Sequence, residues 1–138
     1  MSSESLLARA RTIDPARAKS RERELGGSRA VAVLLSTAFS PLRPAFGWQI
    51  DALDEIGRAG WRGRRQRSDL LARLWATVGA LEDPDAVQAR LRRAVWTERA
   101  RIALRELLPP RLGGASIDVT AAELSDLAEA ALEVALAE

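Results

Sequence analysis

The chain has 138 residues, a formal net charge of +2, no cysteine and no histidine. That length makes one domain or a piece of one, able to bury roughly two thirds of its unfolded surface. The absent residue types exclude disulfides and thiolate zinc sites, and remove the commonest general base and metal ligand.

Apolar residues supply 47% of the chain, carried by Leu and Ala rather than β-branched or aromatic residues. That bias favours helix over sheet. The longest apolar run, Ala30–Leu35, is far too short to span a bilayer. Met1–Leu7 lacks a basic region followed by a long apolar core. A soluble, cytoplasmic chain with no membrane partner is expected.

Helix signals recur along the chain. Leu6, Leu7 and Ala10 mark a short first helix. Asp14 before Pro15 is an N-cap with proline at the first helical position, and that helix runs to Leu25 before Gly26 and Gly27. Ser28 is a cap for a third helix with Val31, Leu34, Leu35 and Ala38 on one face. Pro41 and Pro44 force an extended link, and Phe46, Ile50, Leu53 and Gly57 then line a fourth helix. Gly57, Gly60 and Gly63 mark a loop and hinge over 57–67. Ser68 caps a fifth helix bearing Leu71, Leu74, Trp75 and Val78.

Asp83-Pro84 repeats the cap-then-proline device and opens the longest helix, to about Leu108, with Val87, Leu91, Val95 and Ile102 as its apolar line. Pro109 and Pro110 end it, and Gly113-Gly114 lets the chain reverse. Thr120 and Glu123 read as a capping box for a last helix, whose stripe is Leu124, Leu127, Ala128, Ala131, Leu132 and Ala135. No stretch alternates at period 2. The prediction is all-α: a bundle of six or seven helices, residues 1–138 forming a single helical domain or a fragment of one.

Charge is unevenly placed. Arg58, Arg62, Arg64, Arg65, Arg67 and Arg73 crowd one region, whereas Ser116–Glu138 carries carboxylates and no cation. The first reading is a solvated basic loop beside an acidic helix that attracts it. A surface for phosphate or an acidic partner is the other.

Residues for chemistry are few. The only Asp-x-Asp is Asp83-Pro84-Asp85, which reads as a helix cap and dipole complement. Ser68–Leu70 reads as a cap and Ser125–Leu127 as the solvated side of the last helix; neither has the second acid of a metal pair. The glycine triplet Gly57, Gly60, Gly63 does not follow a strand and lacks the lysine of a phosphate loop. Trp75 and Trp96 are expected in the core, and Trp61, between arginines, is the expected contact residue. No catalytic, cofactor-binding or metal-binding residue is assigned.

Two segments carry a resemblance. Arg101-Ile-Ala-Leu-Arg-Glu-Leu107 and Thr120-Ala-Ala-Glu-Leu-Ser-Asp-Leu-Ala-Glu-Ala-Ala-Leu132 resemble the helical segment of the bifunctional glutamine synthetase adenylyltransferase/adenylyl-removing enzyme. Asp14–Ala18 with Arg23-Glu24-Leu25 is similar to a helix near that family's N-terminus, and Leu34–Phe39 through Leu53–Ile56 to the segment after it. The resemblance implies the non-catalytic helical part that precedes a nucleotidyltransferase domain, leaning toward the adenylyl-removing half. It implies glutamine synthetase, a PII signal protein and the remainder of the nucleotidyltransferase chain as partners. ATP and magnesium belong to the complete enzyme, not to this chain.

The alternative is a free-standing basic helical module that binds nucleic acid or an acidic protein through Arg58–Arg73. On the fragment reading, the last helix has lost a partner for Leu132 and Leu136, and the chain self-associates through it.

Overall fold

A computed structural model describes residues 3–79 and 81–137. Glu138, counted above in the acidic run, lies outside the described residues. Among these residues there are seven α-helices and no strand.

The N-terminal half is built around a helix buried on every side. α1 (Ser3–Ile13) and α2 (Pro15–Leu25) are separated only by Asp14, whose carboxylate accepts from the Arg17 N–H at 3.0 Å. The expected cap-then-proline start is therefore present. α3 (Ala30–Ala38) was expected to show one apolar face, but every residue from Ala30 to Thr37 is buried. It packs against α1, α2, α4 and the long α6, which explains a sequence apolar all round. Its hydroxyls stay internal: Ser36 donates to the Ala32 carbonyl and Thr37 to the Val33 carbonyl, each at 2.6 Å. Ser28 is not its cap. Arg29 occupies that position without a side-chain bond.

α4 (Gly47–Ala59) buries Leu53 and Ile56, whereas Phe46, expected on its apolar line, is 62% exposed just outside the helix. The Gln49 carboxamide accepts from the Ala45 and Phe46 N–H groups, so the start of α4 is satisfied by glutamine. α5 (Arg67–Val78) starts one residue before Ser68, which is not the cap either. Asp69 reaches back to accept from the Gln66 N–H at 3.2 Å.

α6 (Pro84–Leu107) begins as expected, with Asp83 accepting from the Asp85 N–H, and it belongs to two cores. Ala100 and Leu104 pack with α1, α3 and α4, together with Leu108 just beyond the helix. Val87 and Ile102 pack with Leu70, Leu74 and Val78 of α5 and with Leu127, Ala130 and Val134 of α7 (Ile117–Leu136). α6 and α7 form an antiparallel hairpin across the 108–116 reversal, where Gly113 has φ +92°.

α7 starts earlier than the expected capping box. Ser116 is the N-cap, its hydroxyl accepting from the Val119 N–H. Thr120 sits one turn inside the helix, buried, and its hydroxyl bonds back to the Ile117 carbonyl at 3.1 Å. The buried line is Thr120, Glu123, Leu127, Ala130 and Val134. Of the expected stripe, Leu127 is buried and Ala131 half-buried against the core, whereas Leu124, Ala128, Leu132 and Ala135 are exposed. The physical reason is that α7 carries two apolar lines, and packing on α5 and α6 selects one. Trp75 is likewise 37% exposed rather than core. Trp96 is half-buried, edge-on to Trp48 at 5.4 Å, with Arg93 over the Trp48 ring. No helix among the described residues is long and apolar enough to cross a membrane.

Candidate functional site

The arginine-rich segment meets α6 and α7 in a buried ionic network. Glu98, Arg101 and Arg105 follow one another on α6 at spacings of one turn, so they share the face turned toward α7. Glu123 projects from the opposing helix and is fully buried. Its carboxylate accepts from the Arg105 Nη1 at 2.6 Å and from the Arg101 Nη2. Arg101 Nε donates to Glu98 at 3.0 Å, and Glu98 also accepts from Arg65.

The same guanidinium groups hold the flanking loops. Arg101 Nη1 donates to the carbonyls of Trp61 and Gly63, at 3.5 and 3.4 Å. Arg105 Nε donates to the Gly113 carbonyl, and the Arg65 backbone N–H donates to Glu123, each at 3.4 Å. Trp61 is not the exposed contact residue expected of it. It is buried, and its indole N–H donates to the Leu112 carbonyl at 3.0 Å. The link after α4, the helical reversal and both long helices therefore meet at one set of charges.

Desolvation lowers the Arg65 pKa from its ordinary value, opposed by the Glu98 charge and reinforced by Arg101. Arg65 remains a cation at any physiological pH, as guanidinium groups do. Burying such charges is costly unless every one is paired and hydrogen-bonded, and here each has a partner. Both carboxylates are occupied by guanidinium donors, which leaves neither as a free base.

Outside the buried set, Arg58, Arg64 and Arg67 also find carboxylates. Arg64 pairs with Asp126 at 2.9 Å, and Arg67 with Glu129 and Glu133 at 3.3 and 2.6 Å. Arg58 pairs with Glu55 at 2.7 Å, and Arg62 donates to the Arg111 carbonyl at 3.4 Å. The expected attraction between basic segment and acidic helix is thus present, and Asp126 is half-buried rather than on the solvated side. Arg73 has no carboxylate partner of its own among the described residues and lines an open groove with Arg90, Arg93, Thr97 and Glu98. The three glycines do not converge: Gly57 lies in α4, Gly60 ends it and Gly63 receives Arg101.

Sequence reasoning did not single out Glu98, Arg101, Arg105 or Glu123 as a set, although a signal for them exists. On α6 the positions Val87, Leu91, Ala94, Glu98, Arg101 and Arg105 alternate steps of four and three residues. On α7, Thr120, Glu123, Leu127, Ala130 and Val134 do the same. Charges of opposite sign at core positions of two successive helices mark a buried pair.

Among the described residues, no group of three or more carboxylates is placed to hold a metal. The fold and site together define an all-helical bundle latched by internal ion pairs. No family model, curated protein or solved structure matches the chain.

Proposed function

We propose that the chain is the non-catalytic helical portion of a glutamine synthetase adenylyltransferase/adenylyl-removing enzyme. Such an enzyme regulates nitrogen assimilation by adding AMP to glutamine synthetase or removing it. The observation that carries the reading is the likeness of Arg101–Leu107 and Thr120–Leu132 to that family's helical segment. The two segments of the likeness are also the two that interlock here. Arg101 and Arg105 of the first hold Glu123 of the second, and Thr120 lies against Glu106 at 3.3 Å.

On this reading the chain is a rigid helical scaffold for the nucleotidyltransferase portion and for contacts with glutamine synthetase and PII. ATP and magnesium act on the catalytic portion. Nucleic-acid binding through Arg58–Arg73 draws no support from the arrangement, because most of those arginines are paired with carboxylates.

The test uses adenylylated glutamine synthetase and phosphate. The purified chain alone releases no ADP. Added to a family enzyme stripped of its own helical part, it binds and raises ADP release above that of the stripped enzyme. Release by the chain alone, or no binding and no stimulation, overturns the reading.

A further inference from the structure

The line of α7 that the bundle leaves uncovered has a symmetry of its own. Ala121, Leu124, Ala128, Leu132 and Ala135 are all exposed, and they follow one another at steps of three, four, four and three residues. From Ala121 to Ala135 both the spacing and the residue types read the same in either direction from Ala128; exposed Ile117 lies one step before this stretch. Leu124 and Leu132 are 42% and 59% exposed, so the line is not covered by a neighbouring helix.

We propose that this line is the interface for a second copy of the chain, with α7 packed antiparallel on its counterpart about a two-fold axis at Ala128. A two-fold interface must be self-complementary: if one residue contacts another, the reverse contact also exists. An antiparallel pair centred on Ala128 meets that condition. It sets Leu124 against the partner's Leu132, Ala121 against the partner's Ala135, and Ala128 against itself. A helix from an unrelated protein needs no such palindrome. Small residues on the axis let the backbones approach, and the leucines fill the layers on either side.

Charge favours the same occupant. No charged residue lies on the line, and Asp126, Glu129 and Glu133 are drawn off it toward Arg64 and Arg67. Two copies therefore meet without like charges in the seam. A hollow of about 230 Å³ lies beside Leu124, walled by Phe39, Leu42 and Ile102 and edged by Arg99 and Glu106, and it offers room for the partner's Leu132.

Size sets how tight the pair is. α7 has 20 residues, so it is about 30 Å long and ~10 Å across, and the seam covers roughly 300 Å² per copy. That is short of the ~800 Å² per partner of a standard interface. The dimer is therefore reversible and concentration-dependent. The inference rests on the exposed line of α7 and the hollow beside it, and is independent of the proposed enzyme family.

The absence of native cysteine makes the register directly testable. In single-cysteine variants of the full chain, treated with a short bis-maleimide, Ala128→Cys links to itself. Ala121→Cys and Ala135→Cys link to each other when mixed, faster than either links alone. Asp118→Cys, away from the axis, links at least tenfold more slowly than Ala128→Cys. Sedimentation shows a monomer–dimer equilibrium that Leu124→Glu with Leu132→Glu shifts to monomer without loss of helix content. A wild-type chain that stays monomeric at millimolar concentration overturns the proposal. So does a dimer in which Asp118→Cys links as fast as Ala128→Cys.

Discussion

Arg105 and Glu123, eighteen positions apart in the chain, are joined at 2.6 Å across the α6–α7 hairpin with both side chains buried. Arg101 takes the other oxygen of the same carboxylate. One glutamate thus pairs with two arginines on α6, while Glu98 supports Arg101 and draws in Arg65. The arrangement is selective: sliding the hairpin by one turn leaves several buried charges without partners.

Removing Glu123 tests how much the network stabilises the fold. Breaking a buried pair by deleting one partner costs ~3–5 kcal/mol, because the other charge stays buried and unpaired. Glu123→Ala is expected to lose that much in urea denaturation. Glu123→Gln, which keeps an acceptor and the shape, loses less. Pairing Glu123→Leu with Arg105→Met recovers part of the loss, since that pair's charges go together while Arg101 keeps only Glu98. A shift below ~1 kcal/mol in Glu123→Ala would mean that water reaches the pair.

The start of α7 can be located by substitution. With Ser116 as the cap, Ser116→Ala costs about 1 kcal/mol, whereas Ser116→Gly costs only a few tenths. That order, with alanine worse than glycine, is opposite to their order inside a helix. Equal effects, measured by thermal or chemical denaturation, would remove Ser116 from the cap position.

The reversal between α6 and α7 depends on Gly114. A Cβ there overlaps the Leu108 carbonyl oxygen and comes within 2.9 Å of the Pro109 carbonyl carbon, both of them backbone atoms. Gly114→Ala should therefore lose more than ~1 kcal/mol, as alanine does wherever the native backbone has no room for it. Gly47, with nothing within 4 Å of a Cβ, is the control. Gly47→Ala is expected to be neutral or stabilising. Equal denaturation midpoints for the two variants would show that the turn adjusts.

One pH effect has a definite sign. Arg43 Nη2 donates to Glu24 at 2.6 Å, and that bond holds the Glu24 pKa below its ordinary value, with the Arg43 and Arg21 charges adding. A carboxylate with a lowered folded pKa contributes its stability above the unfolded value, about 4.3. The contribution is lost as pH falls through the folded value. The pair lies at the surface, so added salt weakens it. NMR titration should give a Glu24 midpoint below the ordinary one, rising toward it in Arg43→Ala. An unchanged midpoint in that variant would show that the pair does not persist in solution.

Helix boundaries were the part of the structure that local chemistry made legible. Asp14-Pro15 and Asp83-Pro84 start helices where they stand, and Pro109 with Gly113-Gly114 turns the chain, because caps and breakers act within one turn of themselves. The serine and threonine caps were misplaced by one residue at Ser28 and by a full turn at Thr120. Hydroxyls bond equally well to a carbonyl one turn back, so their presence alone does not mark a helix start.

Apolar spacing read the buried side of α1 correctly, at Leu6, Leu7 and Ala10, but not that of α7. α7 carries two apolar lines of similar character, and only its neighbours determine that Leu127 and Val134 go inside while Leu124 and Leu132 stay out. The same holds for charge. Arginines near glycines read as a solvated basic loop, yet Arg65 is drawn inward by Glu98, and Trp61 is closed beneath it by the Leu112 carbonyl. Composition established the all-helical class, because the free energies of capping, turning and apolar periodicity are local sums along the chain. The ionic latch was decided by tertiary structure, because a charge can be buried only where partners distant in sequence arrive to meet it.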